Sequence, residues 1–188
     1  MRIITGQWKG KKLPWDVPDE VRPTTDRVRE TMFSILDNYI EIENSKVADI
    51  CAGTGALGFE CLSRSAQHCT FFEKSRKVEK ILRANAEYFG ATSDMFIVIQ
   101  GDIRTTMPIY GGHRFDIIFT DPPYHEMFIN PMMRMIAKRK MLCHDGVFVA
   151  EHATREVIMG YSDEWQLLTQ RIIGDTVIDL FRFHSTLD

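Results

Sequence analysis

No stretch of the 188-residue sequence approaches the roughly 18 consecutive apolar residues that a membrane-spanning helix requires. The start, Met1 to Trp8, lacks the longer apolar core of a secretory signal. A cytoplasmic protein is the expectation, with no membrane partner. Cysteine is scarce and badly spaced for chemistry. Cys51, Cys61, Cys69 and Cys143 form no CxxC pair, and the six histidines lie far apart, so neither a disulfide framework nor a metal site is expected. Internal repeats and low-complexity tracts are also missing, which excludes solenoids and disordered arrays. Net positive charge is lacking too: the formal charge is −3. Its distribution matters more than its sum. Residues 1–12 hold Arg2, Lys9, Lys11 and Lys12 and no acid, a basic arm on an acidic body of the kind that contacts RNA.

Hydrophobic residues at 44% and charged residues at 26% describe an ordinary globular chain long enough for a substantial core. Residues 2–5 and 11–13 can pair as a short hairpin around Gly6 and Gly10, with Trp8 near the turn, and residues 14–23 read as an irregular linker. This divides the chain into an arm and linker, residues 1–23, and a body, residues 24–188. Thr24, Thr25 and Asp26 supply a cap and an acidic first turn for a helix over 25–40. Arg22, Arg27 and Arg29 at its start are candidates for phosphate or cofactor-carboxylate contact.

From residue 47 strands and helices alternate. Strands are expected at 47–51, 69–72, 95–99, 115–120 and 146–151, and helices at 56–64, 75–89 and 128–140. The pattern predicts a doubly wound parallel sheet. Met132, Met135, Ile136 and Met141 give the last helix an apolar face that reads as core. Two further strand-like runs, 165–173 and 176–183, meet at Gly174-Asp175, a hairpin turn. An antiparallel closing pair after five parallel strands is not the nicotinamide-binding arrangement.

The candidate site follows the strand ends, where open α/β sheets place their chemistry. Gly53-Thr54-Gly55-Ala56-Leu57-Gly58 has the G-x-G-x-x-G spacing of a nucleotide loop, and Glu73, twenty residues past Gly53, can hold ribose hydroxyls. Asp49 separates two cofactors. A pyrophosphate at the helix start tolerates no nearby anion, whereas S-adenosylmethionine carries no phosphate and presents sulfonium and ammonium cations. Asp102 can accept from an adenine amine, and the N–H of Ile103 can serve a ring nitrogen. After the fourth strand comes Asp121-Pro122-Pro123-Tyr124. Two prolines cannot extend a ladder, so the chain leaves the sheet stiffly. It then presents a carboxylate, turn carbonyls and a tyrosine ring to one small volume, which suits a planar base with an amino group.

Taken together these residues resemble the class I S-adenosylmethionine-dependent methyltransferases that modify exocyclic amines. Arg2-Ile3-Ile4-x-Gly6, Lys9-Gly10, Leu13-Pro14 and Arg22-Pro23-Thr24-Thr25-Asp26-Arg27-Val28-Arg29-Glu30-Thr31 sharpen the likeness. With the glycine loop and Asp121-Pro122-Pro123-Tyr124, the chain resembles the bacterial 16S ribosomal RNA guanine-N2 methyltransferase family, the RsmD type. The resemblance implies a seven-stranded class I methyltransferase sheet with an N-terminal β-ribbon. It also implies methyl transfer from S-adenosylmethionine to guanine N2 in small-subunit ribosomal RNA, free or within an assembling subunit. Asp121, Pro122 and Tyr124 would then act on the base. Asp49, Gly53, Gly55, Glu73, Asp102 and Ile103 would hold the cofactor. Arg2, Lys9, Lys11, Lys12, Arg22, Arg27 and Arg29 would contact RNA. Many amine methyltransferases open this motif with Asn, and either side chain offers an acceptor oxygen. Asp121 therefore leaves adenine N6 and a glutamine amide open as acceptors. A non-catalytic RNA-binding relic is the alternative of another class. A monomer is the default expectation.

Overall fold

The computed structural model describes residues 1–14, 25–122, 128–158 and 164–184. Seven strands form one sheet in the order β3-β2-β1-β4-β5-β7-β6. They are β1 (Lys46–Ile50), β2 (His68–Glu73), β3 (Phe96–Gln100), β4 (Phe115–Thr120), β5 (Leu142–Ala153), β6 (Trp165–Ile173) and β7 (Thr176–Phe183). The first five are parallel, and β7 inserts antiparallel between β5 and β6. The chain order reverses between β1 and β4, so the crevice of this sheet opens above those two strand ends.

The central strands are buried on both faces, and their side chains alternate between two cores. Val47, Phe119, Val149, Ile178 and Leu180 point to one core. Helices α1 (Asp26–Leu36), α2 (Ala56–Ser63) and α3 (Arg76–Phe89) cover it. Ala48, Ile118, Phe148, Ala150 and Phe181 point to the other, under α5 (Ile129–Lys138) and the short α4 (Ile103–Thr106). Met132 and Met133 are buried there, so the methionines are core.

Two elements differ from the periodicity. Helix α1 ends at Leu36 rather than near residue 40. The Asn38 side-chain amide donates to the Ser34 carbonyl (3.0 Å) and the Ile35 carbonyl (3.2 Å), competing with the ladder. Strand β5 starts at Leu142, earlier than expected. Its register slips from Phe115↔Leu142 to Ile117↔Val147, an irregularity beside Gly146, where a Cβ would come within 2.9 Å of the Asp116 carbonyl oxygen.

The N-terminal hairpin forms. Ile3 N–H donates to the Lys11 carbonyl and Gly10 N–H to the Ile3 carbonyl, each at 2.9 Å. Arg2 pairs with Lys12 as an antiparallel bridge. The hairpin is sealed onto the body: Ile3, Trp8 and Leu13 are buried in the α1–α3 core, and Trp8 stacks on Phe89 at 5.0 Å. Glu60, on α2 and fully buried, accepts from the N–H groups of Ile4 (2.7 Å) and Thr5 (2.9 Å) and from Arg64 Nε (3.0 Å). At Gly6 the approach is so close that a Cβ would overlap the Ser63 carbonyl, and its φ of +84° also calls for glycine.

Candidate active site

The loop after β1 turns sharply, with positive φ at Cys51 (61°), Gly53 (54°) and Gly55 (79°). Three bonds from other elements fix it. The Gly58 N–H donates to Asp49 Oδ2 at 2.9 Å, anchoring the start of α2 to the end of β1. The Gly53 N–H donates to Glu73 Oε2 at 3.0 Å, which ties the loop to the end of β2, and the other Glu73 oxygen accepts from the Ser75 N–H at 2.7 Å. The buried Asn85 on α3 donates to the Thr54 carbonyl at 3.1 Å. Sequence reading passed over Asn85; a polar residue on the apolar face of an amphipathic helix was its only signal.

Asp49 is 2% exposed. Burial pushes its carboxyl up to about 8; the Gly58 N–H offsets part of that, and the like charges of Asp121 and Glu73 add to it. Asp49, Glu73 and Asp121 therefore share one electrostatic neighbourhood at the mouths of β1, β2 and β4. Net negative charge concentrated there is costly in itself and attracts a cation.

Asp102 also stands at a strand mouth but belongs to a different arrangement. It caps α4, accepting from the Arg104 N–H at 2.9 Å, and its two oxygens meet the Arg104 guanidinium at 3.0 and 2.6 Å and Lys74 at 3.4 Å. The Arg104 hydrogen bonds hold its carboxyl well below the usual range. The site thus brings three of the four expected acids together, and the fourth is committed to its own cations. The Ile103 side chain is buried in the same core as Phe72 and Ile50, with its N–H in the first turn of α4.

Asp121 is half-buried and Pro122 buried directly after β4. Pro123 and Tyr124 lie outside the described residues, as does Arg22. Of the other expected RNA-contacting residues, Arg2, Lys9, Lys11, Lys12 and Arg27 are exposed. Arg29 is a correction. Its side chain is fully buried, and its Nη2 donates to the Arg2 carbonyl (2.6 Å) and Asp26 Oδ1 (2.7 Å), so it fastens the arm to α1 and cannot reach RNA.

A glycine loop pinned by acids, on a sheet of this strand order, defines a class I S-adenosylmethionine-dependent methyltransferase. The residues present fit that cofactor: the acids offer acceptors and negative charge to its cations, and a Cβ at Gly53 would meet only the Cys51 carbonyl, at 3.9 Å, leaving room above the loop. Residues 1–182 match the family model described as Conserved hypothetical protein 95, and the chain belongs to that family, the RsmD family. It is 33% identical to Ribosomal RNA small subunit methyltransferase D of Haemophilus influenzae, over 93% of this chain and 89% of that one. Against the Escherichia coli K12 protein of the same name it is 32% identical, covering 97% and 89%. Among solved structures, a putative methyltransferase, yhhF, from Escherichia coli superposes with a TM-score of 0.86 at 30% identity, covering 99% of each chain. Among the described residues no helix is long and apolar enough to cross a membrane, and no group of three or more His, Cys, Asp or Glu could hold a metal.

Proposed function

We propose that this protein methylates the exocyclic N2 of a guanine in 16S ribosomal RNA, as free RNA or within an assembling small subunit. The observation that carries the reading is the glycine loop tied by its Gly53 N–H to Glu73 and, through the Gly58 N–H, to Asp49, with Asp121 directly after the neighbouring strand β4. A site that concentrates negative charge next to an amine-acceptor motif suits a sulfonium donor and an amine nucleophile. The names of the relatives, ribosomal RNA small subunit methyltransferases, support an RNA acceptor.

When bound, S-adenosylmethionine supplies an electrophilic methyl group and leaves as S-adenosylhomocysteine. The chain's own groups do the rest. Glu73 holds ribose hydroxyls with lone pairs beyond those given to Gly53 and Ser75. The Ile103 N–H serves the adenine ring. Asp102 reaches the adenine amine by sharing its oxygens with Arg104 and Lys74. Asp121 and the Pro122 carbonyl accept the two N–H bonds of guanine N2, drawing its lone pair out of conjugation and toward the methyl carbon. That lone pair would take the methyl group of the bound cofactor with the C–S electrons returning to sulfur, and the proton lost by the nitrogen would pass to Asp121 or to water. Tyr124 stacks on the base. Positioning and aligned electrostatics supply most of the rate. The target guanine is unpaired or flipped, since a stacked and paired amine is out of reach. Lys9, Lys11, Lys12, Arg2 and Arg27 hold the flanking backbone.

The test is incubation of unmodified small-subunit RNA and particles with methyl-labelled cofactor, followed by nucleoside analysis. N2-methylguanosine is expected. N6-methyladenosine would replace the acceptor, and cofactor binding with no product on either substrate would overturn the enzymatic reading.

A further inference from the structure

Helix α5 and the turn after it carry charge that the fold does not use. Between Glu126 and Asp145 the sequence holds Arg134, Lys138, Arg139 and Lys140 and no acid. Only the arm, ahead of Asp16, matches it, since no other acid-free stretch of the chain holds four cations. All four residues are exposed, and among the described residues none of their side chains pairs with an acid. Elsewhere cations are matched: Arg64, Arg83 and Arg104 meet carboxylates at 3.0, 2.9 and 2.6 Å. Arg134 and Lys138 stand one turn apart on the same side of the helix, a like-charge pair with no acid to relieve it. The negative end of a helix favours Lys138, Arg139 and Lys140. It does not account for Arg134, which precedes the last turn.

Their position gives these cations a use. Strand β5 runs parallel to β4, so α5, which connects them, starts at the strand mouths and returns toward the strand starts. Arg134 and Lys138 lie about 8 and 14 Å along the axis from its first residue, the span of a few nucleotides. Met132, Met133 and Ile136 turn into the core beneath α5, which leaves the cations on its outer side. The arm packs on the opposite face of the sheet, in the α1–α3 core. The crevice above β1 and β4 therefore has a basic surface on each side.

We propose that α5 is a second RNA-binding surface, on which Arg134, Lys138, Arg139 and Lys140 hold the phosphate backbone on the side of the target nucleotide away from the arm. This rests on the ribosomal RNA reading and adds to it how the strand is laid across the site. Lys and Arg neutralise phosphates whatever the sequence, and such contacts fix register while the pocket reads the base. Gripped on both sides, the strand crosses the crevice with its target base over Asp121.

The experiment measures binding of unmodified small-subunit ribosomal RNA to the full chain over a range of salt. With Arg134→Ala, Lys138→Ala, Arg139→Ala and Lys140→Ala combined, affinity at low salt should fall by about tenfold or more. The slope of log affinity against log salt should be shallower by about three. Adding alanine at Lys9, Lys11 and Lys12 should sum the two losses of slope, because the surfaces hold different phosphates. Arg134→Lys with Arg139→Lys keeps the charge and should keep the wild-type slope. Melting temperature within about 2 °C of the wild type and an unchanged affinity for S-adenosylhomocysteine separate lost contacts from lost structure. Unchanged affinity and slope in the quadruple variant would overturn the proposal. So would a combined loss no larger than that of the arm variant alone, which would merge the two surfaces into one footprint. Normal binding of naked RNA with slowed methylation of assembled particles would also overturn it and give α5 to a protein of the particle. A wild type that binds RNA but yields no methylated nucleoside removes the function reading and leaves the surface standing.

Discussion

The N–H of Gly58 and the carboxyl of Asp49 meet at 2.9 Å across the start of α2, and this one bond ties that helix to the end of β1. It is the main compensation for an acid that burial and two like charges push up to about 8. In the unfolded chain Asp49 titrates near 3.8. The native state therefore holds a proton there that the unfolded state has lost. The protonated group's stability contribution is complete below pH 3.8, declines by about 1.4 kcal/mol per pH unit above it, and is gone once pH passes about 8. The stability of the cofactor-free wild type relative to Asp49→Asn should thus fall between pH 5 and 8 and level off by pH 9, as read by thermal melts of both proteins.

Cofactor binding should follow the same titration in the opposite sense. A cation seated near Asp49 favours its ionised form, so S-adenosylmethionine should bind more tightly as pH rises from 6 to about 8.5 and release a proton in doing so. S-adenosylhomocysteine has no sulfonium charge and should show a shallower slope. Calorimetry in buffers of differing ionisation heat measures both, and identical slopes would remove the sulfonium from the neighbourhood of Asp49.

Asp121 is tested by separating its acceptor oxygen from its charge. Asp121→Ala should lower kcat by about 100-fold or more while the affinity for S-adenosylmethionine stays within about threefold. Asp121→Asn keeps an acceptor oxygen and should stay within about tenfold of wild type. If Asn is as inactive as Ala, the carboxylate takes the proton rather than only orienting the amine.

The strands were legible because each is an apolar-rich run bounded by polar or turn residues; β4 and the antiparallel pair β6 and β7 have their expected bounds. The acids were legible because strand ends are where such sheets place their chemistry. Long-range contacts were not. Arg29 lies among cations at a helix start, and only the hairpin folding over it makes it an internal tie. Glu60 sits in a helix whose every residue is buried, which follows from the arm covering the side opposite the sheet. Helix α4 is four residues long, too short for any periodicity to show, so sequence alone could not weigh the capping use of Asp102 against its expected cofactor contact.

Glu60 carries a stability prediction. Glu60→Ala would leave the N–H groups of Ile4 and Thr5 and the Arg64 guanidinium without their shared acceptor, at a cost of about 3 kcal/mol. Urea unfolding should show a lower midpoint with an unchanged slope. Limited proteolysis should cut within residues 1–14 faster than in the wild type.

The RNA role of the arm has to be tested by charge and not by deletion. Removing residues 1–12 would strip Ile3 and Trp8 from the core and expose Phe89, so lost RNA binding would report damage to the body. Lys9, Lys11 and Lys12 are exposed, so replacing all three with alanine should leave the melting temperature within about 2 °C of the wild type. Each phosphate contact adds about 0.7 to 0.9 to the slope of log affinity against log salt. The triple variant should therefore bind ribosomal RNA more weakly at low salt and show a slope shallower by about two. Unchanged affinity and slope would make the three lysines a solvated edge of the hairpin and move the RNA-binding face elsewhere on the protein.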